Sequence, residues 1–159
     1  MEELRGKIRE DVALILRSDD PDREVLLRSY FALPTTPEEK AEYGVAWCRL
    51  FLGHYFKDET PEFHYELAQI FFRGRNDYTA APRGFAKTSL MQGLISYSVV
   101  NAWETYIVIV EKTFKEASEV LSAVRVEFEE NEFLLPVGQV ETFKQHLHLR
   151  EPILLNSKV

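Results

Sequence analysis

One short stretch of the sequence combines residue types in the order that phosphate binding requires. Residues 81–89 read Ala-Pro-Arg-Gly-Phe-Ala-Lys-Thr-Ser. A phosphate-binding loop needs a tight turn that points backbone N–H groups inward, a lysine that reaches the β- and γ-phosphates, and a hydroxyl that holds Mg²⁺. Lys87, Thr88 and Ser89 stand at the start of a predicted helix, whose N-terminus favours anions. The stretch therefore predicts a nucleotide-binding loop.

The loop departs from the usual pattern at its glycines. The positions six residues before the lysine and immediately before it are Ala81 and Ala86, where glycine is usual. Alanine is small enough for the backbone to approach phosphate, but it resists the left-handed conformation that glycine adopts freely. Gly84 is left to carry part of the turn, and Arg83 adds a cation that can meet phosphate oxygens as a fork. The alternative is a strand-to-helix turn with a solvated arginine and lysine.

The elements on either side would position this loop. Residues 76–81 are β-compatible, and a helix-period stretch runs from Thr88 to about Ala102. Residues 106–110, Tyr-Ile-Val-Ile-Val, form a continuous apolar run that is typical of a parallel strand buried on both faces. A capping box at residues 113–116 opens a further helix. The order strand–loop–helix–strand–helix is a βαβ unit, which predicts a parallel sheet covered by helices.

The sequence before residue 75 reads as helical. Apolar residues recur at spacings of three and four over residues 4–16, and a short second helix follows the break at residues 19–22. Residues 36–39, Thr-Pro-Glu-Glu, form a capping box with proline at the first helical position, and they open a helix that runs to about Phe56. Another helix starts at residues 60–61 and is closed by Gly74.

These patterns predict an α/β fold, namely a partial P-loop NTPase-like parallel sheet with helices on both faces, preceded by an all-helical N-terminal leader. We expect residues 1–74 to form a helical leader or lid. We expect residues 75–159 to form a partial ATPase core of strand, phosphate loop, helix, strand and helix.

Composition limits the functions that this chain can have alone. Its 159 residues suffice for one domain, and 45% are hydrophobic, so a packed core is expected. The net charge is −7, whereas a free-standing nucleic-acid binder usually has a basic face. The single cysteine, Cys48, lies in an apolar stretch and is expected to be a small buried hydrophobe in a reducing compartment. The N-terminus is unlike a signal peptide, and no apolar run approaches the ~20 residues that span a bilayer, so we expect a soluble, cytoplasmic protein without membrane contact.

Residues 82–88 resemble the deviant phosphate-binding loop (Walker A) of phage terminase large subunits, which are DNA-packaging ATPases. That family often has Ala-Pro-Arg-Gly-x-Gly/Ala-Lys-Ser/Thr at this place. The segment at residues 61–67 is similar to the one that precedes the loop in the family, near the adenine side. Residues 106–117 look like the family's second strand and the start of the next helix, and the acidic end of that helix at residues 129–132 is also similar. The resemblance covers about residues 60–135.

The resemblance implies ATP and Mg²⁺ as cofactors. Lys87 would hold the β- and γ-phosphates, Thr88 would ligate Mg²⁺, and Arg83 would sense or position the γ-phosphate. It also implies a motor that drives DNA into a capsid in a host cytoplasm. Its partners would be double-stranded DNA, a small terminase subunit and a portal or procapsid, in a homo-oligomeric ring. The expected phosphate-cradling residues are Arg83, Gly84, Phe85, Ala86, Lys87, Thr88 and Ser89.

The family's remaining equipment is absent from this sequence. No apolar strand after Val110 ends in adjacent acids, as a Walker B strand would, since Asn156 and Ser157 follow the apolar residues 153–155. The carboxylate-rich nuclease domain would lie beyond residue 159. We therefore expect weak nucleotide binding and little or no turnover by this chain alone. Two alternatives stay open: another P-loop NTPase, such as a helicase-like ATPase, and a degenerate fragment that does not hydrolyse nucleotide.

Four other polar residues have a functional and a structural interpretation. His64 and Gln69 could contact an adenine base, but a partly buried histidine and a polar helix face are the expected roles. His146 and His148 alternate, as a metal pair on one side of a strand would, yet no cysteine or close acid completes a site. We therefore expect no metal there.

Overall fold

The computed structural model describes residues 1–74, 84, 86–104, 106–131 and 134. The chain divides into two compact units, Met1–Asn101 and Ala102–Val159. The described part holds five helices in the first unit and one in the second.

Helices α1 and α2 open the first unit. Helix α1 spans Glu2–Arg17, with two glutamates in its first turn and an arginine in its last turn, as the helix dipole favours. Ile8 is its only buried residue. Helix α2 spans Arg23–Phe31 and buries Leu27 and Phe31. The two helices are joined by a hydrogen bond that the Tyr30 hydroxyl donates to the Asp11 carboxylate over 2.9 Å.

Helices α3 and α4 follow, and both begin or end where the sequence predicts. Helix α3 spans Pro37–Phe51, and the predicted capping box is present: the Thr36 hydroxyl accepts from the Glu39 N–H, and the Glu39 carboxylate accepts from the Thr36 N–H. Its end lies five residues before the predicted one at Phe56. Helix α4 spans Glu62–Arg73 and ends at Gly74, whose φ of 62° confirms the predicted glycine stop.

Helix α5 spans Lys87–Val100 and completes the first unit, where it contacts α3 and α4. Helix α6 spans Phe114–Glu130 in the second unit. The capping box predicted for α6 is confirmed, since Thr113 and Glu116 exchange side-chain-to-backbone hydrogen bonds. The capping boxes in the sequence thus predicted correctly where α3 and α6 begin, one helix in each unit.

Helix α3 lies at the centre of the first unit. It contacts α1, α2, α4 and α5 and buries more residues than any of them. The core around it is aromatic, with the Trp47 ring 5.1 Å from the Phe51 ring and 5.4 Å from the Tyr97 ring between centroids. Cys48 is fully buried in this core, which confirms its expected role as a small hydrophobe, and burial raises the pKa of its thiol.

The predicted α/β fold is wrong for the described residues, which contain helices and no strand. Residues 106–110 were expected to form a parallel strand buried on both faces. Instead Tyr106, Val108 and Val110 are exposed, and no strand in the described part pairs with them. A parallel strand needs a neighbour on each edge and helices on both faces, and an apolar run by itself specifies neither. The other predicted strand, residues 76–81, lies outside the described residues.

The helical leader and the helix after the loop belong to one unit, since Met1–Asn101 includes α1 to α5. The predicted division of the chain at residue 74 stays a prediction. No helix in the described ranges is long and apolar enough to cross a membrane.

Candidate functional site

The candidate site is the first turn of α5, and two glycines fix the position of this helix. A Cβ on Gly93 of α5 would lie 2.5 Å from the Cys48 sulfur on α3, and a Cβ on Gly44 of α3 would lie 3.0 Å from the Leu94 and Tyr97 side chains. Real Cβ atoms essentially never show the first distance and rarely show the second, so these two glycines let α3 and α5 pack more closely than larger residues would. Helix α5 therefore packs directly against α3, the most buried helix of the unit.

Three further side chains of α5 anchor it. Leu90, Leu94 and Tyr97 are fully buried. The Tyr97 hydroxyl donates a 2.7 Å hydrogen bond to the backbone carbonyl of Phe31, at the end of α2. The Phe72 ring of α4 meets the Tyr97 ring edge-on, with 6.2 Å between centroids. Because α2, α3 and α4 all contact α5 through these groups, packing fixes the position of α5 and of its first turn.

Ala86 is the N-cap residue of α5 and has a left-handed backbone, with φ 50° and ψ 25°. Its carbonyl accepts the first helical hydrogen bond, from the Leu90 N–H over 2.9 Å. A residue with a Cβ pays roughly 1–2 kcal/mol for this conformation, which glycine adopts without penalty. The sequence shows alanine where phosphate loops usually have glycine, and the structure gives that alanine the backbone conformation of glycine.

The first turn of α5 has the electrostatics of an anion site. Within the described residues its N-cap offers no side-chain hydrogen bond to the helix, and its first turn contains no acidic residue. Its leading N–H groups and the positive end of the helix dipole therefore have no carboxylate on the helix to neutralise them. Lys87 and Ser89 are half-buried and Thr88 is exposed. This combination can hold a phosphate group through backbone N–H groups, an ammonium and two hydroxyls.

Part of the predicted loop lies outside the described residues. This applies to Arg83 and Phe85, as well as to Ala81 and Pro82. Gly84 is described, with an exposed backbone and a φ of 85°. That value confirms a turn conformation suited to glycine at this position. The predicted roles of Arg83 and Phe85 stay predictions.

The described residues contain no group of three histidine, cysteine or acidic residues that could hold a metal ion. Mg²⁺ usually binds through one or two protein oxygens together with substrate phosphates. The exposed Thr88 hydroxyl can supply one such oxygen beside a phosphate on the α5 amides. His146 and His148 lie outside the described residues.

Both residues considered for base contact, His64 and Gln69, lie on α4 and contact other residues of the unit. His64 is buried, with its ring 4.5 Å from the Phe63 ring and 6.3 Å from the Phe56 ring between centroids. The Gln69 amide oxygen accepts a 3.3 Å hydrogen bond from Arg73, one turn later on α4. The structural interpretation of both residues therefore fits the structure better than a contact to adenine.

A polar cluster that no sequence pattern predicts joins α1, α3 and α4. The Arg5 guanidinium donates to the Glu42 carboxylate at 2.6 and 3.2 Å and to the Glu62 carboxylate at 2.5 and 2.8 Å. It also lies 3.6 Å from the centre of the Tyr65 ring, which is cation–π geometry. Glu42 is fully buried, but in the sequence it follows three charged residues, Glu38 to Lys40, so no local pattern marks it as a buried partner.

The cluster changes the titration of its members. The hydrogen bonds that Arg5 donates to Glu62 and Glu42 raise the pKa of Arg5 far above its usual value, so the guanidinium stays charged. The hydrogen bond from Arg5 lowers the pKa of the Glu62 carboxyl. Burial raises the pKa of the nearby Tyr65 hydroxyl. The cluster is a structural tie between helices, because its donors and acceptors are directed at each other.

Comparison with known proteins finds no matching family model, no similar curated protein and no similar solved structure.

Proposed function

We propose that the first turn of α5 binds the phosphates of ATP with Mg²⁺, and that the chain is the ATP-binding N-terminal part of a phage-type DNA-packaging motor. The observation that carries the proposal is the left-handed Ala86 directly before Lys87 at the first residue of a buried helix. The leading N–H groups of a helix favour anions, and the N-cap side chain of α5 makes no hydrogen bond to them. The proposal rests on this turn and on the loop sequence, and it needs no sheet.

Each residue of the turn has one role in the proposal. The Lys87 ammonium pairs with the β- and γ-phosphates, and the backbone N–H groups of Lys87, Thr88 and Ser89 donate hydrogen bonds to phosphate oxygens. The Thr88 hydroxyl is the protein's oxygen ligand to Mg²⁺, which supplies charge neutralisation to the phosphates when bound. Arg83, from the loop, contributes a second cation to the γ-phosphate.

Thermal unfolding with and without Mg-ATP tests the binding step. A ligand at 100 times its dissociation constant stabilises a folded protein by about 2.7 kcal/mol, so a clear rise in Tm is expected. Lys87→Ala should abolish the rise, whereas Lys115→Ala, which removes an exposed lysine from α6, should not. A Tm that does not respond to Mg-ATP would favour the alternative of a degenerate fragment that binds no nucleotide.

Ala86→Gly gives a second, directional test. Glycine adopts the left-handed turn without the penalty that alanine carries, so this variant should bind Mg-ATP at least as tightly as the original chain. Ala86→Val should bind more weakly, because a β-branched residue resists positive φ more strongly. Equal affinities of all three chains would mean that the turn does not shape the site.

The motor part of the proposal includes double-stranded DNA, a small terminase subunit, a portal or procapsid and a ring of copies as partners of the complete protein. It is tested by reading the gene past codon 159. An apolar strand ending in adjacent acids, followed by a carboxylate-rich domain, is expected for a packaging ATPase. A helicase-like ATPase would instead continue with regions that separate nucleic-acid strands, and no such nuclease domain would follow.

A further inference from the structure

We infer that helix α1 is a latch, which detaches from α2 and α3 as a unit while α2 to α5 stay folded, and that the Arg5 guanidinium is the contact that keeps it closed. All of these helices belong to the unit Met1–Asn101, and nucleotide binding plays no part in their separation. Parts of a protein that open below global unfolding are those with few buried apolar contacts. The burial of α1, the segment that follows it and its charged contacts all have this character.

Helix α1 buries fewer residues than the helix against which it packs. Ile8 is its only buried residue, and the other apolar residues of the same stripe, Leu4, Val12 and Ile15, are half-buried. Helix α3, in contrast, buries eight residues. The aromatic ring pairs of the core join α2, α3, α4 and α5 to one another. Detachment of α1 therefore exposes little of the core and leaves these ring pairs in place.

An exposed segment separates α1 from the first buried residue of α2. Residues 19–26 are all exposed, and Leu27 follows them. The end of α2 is fixed in the core, since the Phe31 ring lies 5.8 Å from the Phe51 ring between centroids and the Phe31 carbonyl accepts the hydrogen bond from Tyr97. A few exposed residues between two helices are enough to absorb the backbone change of an opening motion. Helix α1 can therefore move while α2 stays in place.

The polar contacts of α1 are made by groups that water can hydrate once the helix detaches. Arg5 donates to the Glu42 and Glu62 carboxylates, and Asp11 accepts from the Tyr30 hydroxyl. A buried ion pair adds little net stability when the alternative is two hydrated ions, so opening that hydrates both members is not prohibitive. Removing Arg5 alone is different, because the closed state would then bury the Glu42 carboxylate without its cation. Loss of Arg5 therefore favours the open state, in which water hydrates Glu42.

Native-state hydrogen exchange, followed by NMR at low urea concentrations, measures the opening of α1 directly. A detached helix of 16 residues is marginal in water, so its amides exchange whenever it opens. The slowest amides of α1 should have a lower opening free energy and a weaker urea dependence than those of α3, because opening α1 exposes less surface. Equal opening free energies and equal urea dependences would mean that α1 opens only when the whole unit unfolds, and would overturn the inference.

Tyr97→Phe distinguishes opening of α1 from global unfolding without changing α1. The hydrogen bond from Tyr97 to the Phe31 carbonyl is kept when α1 detaches and is lost when the unit unfolds. The variant should therefore speed exchange of the slowest α3 amides by about fivefold and leave the exchange of α1 unchanged. Acceleration of both helices by the same factor would show that they open together and would contradict the inference.

Arg5→Ala tests whether the guanidinium keeps α1 closed. The amides of the middle turns of α1 should all exchange on the order of 100-fold faster, because the closed state loses the partner of a buried carboxylate. Arg9→Ala removes an exposed arginine from the same helix and should leave this exchange near that of the wild-type chain. Equal exchange of α1 in the two variants would exclude Arg5 as the closing contact. An Arg5→Ala chain that does not fold would also overturn the inference, since α2 to α5 are expected to stay folded when α1 detaches.

Discussion

Two contacts hold helices onto α3, and they work by opposite means. Helix α5 joins α3 through Gly44 and Gly93, where the absence of side chains lets apolar surfaces meet closely. Helix α1 joins α3 and α4 through one guanidinium, since Arg5 holds Glu42 and Glu62 while Ile8 is the only buried residue of α1. The first contact depends on shape and the second on charge. A substitution that disrupts one of these two contacts should therefore leave the other contact intact.

The largest effect is expected at the charged contact. Arg5→Ala leaves the fully buried Glu42 carboxylate without its partner, and removing one member of a buried ion pair costs about 3 kcal/mol. The unfolding free energy from urea titration should fall by that amount. Arg9→Ala, which removes an exposed arginine from the same helix, should change it little. If the two variants unfold alike, α1 is not held by charge.

The shape-dependent contact should fail when a methyl group is added. Gly93→Ala places a Cβ against the Cys48 sulfur, and overpacking a core in this way costs about 2 kcal/mol. Adding Cys48→Ala removes the obstructing sulfur and should recover part of the loss. Gly6→Ala, whose Cβ would meet no atom within 4 Å, should instead stabilise α1 by about 0.5–1 kcal/mol. Equal effects at the two glycines would show that close approach does not hold α5.

A smaller effect is expected where α5 meets the end of α2. Tyr97→Phe keeps the ring in the aromatic core but removes the buried hydrogen bond to the Phe31 carbonyl. Such a bond contributes about 1 kcal/mol, and urea unfolding should show a loss of this size without a change in m-value. Tyr55→Phe, at an exposed tyrosine, is the matched control. A neutral Tyr97→Phe would mean that shape alone holds this end of α5.

The smallest effect is a pH dependence confined to the charged contact. The pKa of Glu62 is lowered in the folded state, so its contribution is present above the usual carboxyl pKa of ~4.3 and is lost as pH falls through the lower folded value. Glu62→Gln should therefore make the acid-side fall in unfolding free energy shallower. Glu59→Gln removes an exposed carboxylate just before α4 and controls for the loss of one charge. If the unfolding free energy of Glu62→Gln falls with pH as steeply as that of the wild-type chain, Glu62 does not contribute to the contact.

The features that could be predicted from the sequence are those whose determining residues lie close together along the chain. The capping boxes at Thr36 and Thr113 and the glycine stop at Gly74 act within one helical turn, and the structure confirms all three. Residues 106–110 were predicted wrongly, because a strand is defined by partners that a local apolar run does not contain. The pairing of Arg5 with Glu42 joins residues 37 positions apart and left no local pattern to detect.

The candidate site also has some features that local residues determine and others that depend on distant residues. The start of α5 at Lys87 could be predicted, since a lysine and two hydroxyl residues precede a helix-period stretch. The left-handed backbone of Ala86 could not, because alanine disfavours it and the packing that holds α5 comes from α2, α3 and α4. The nucleotide itself, the DNA and the capsid partners stay predictions from the resemblance of the loop.

The hydrogen bond from Tyr97 to Phe31 joins residues 66 positions apart, which bears on how fast the first unit forms and how long it persists. Helices α3 and α4 are consecutive and contact each other directly, so they can associate early, whereas this bond must wait for a long loop to close. Contacts made after the transition state slow unfolding and leave the folding rate nearly unchanged. We therefore expect Tyr97→Phe to raise the unfolding rate more than it lowers the folding rate, which would shorten the time for which α5 stays packed against the rest of the unit.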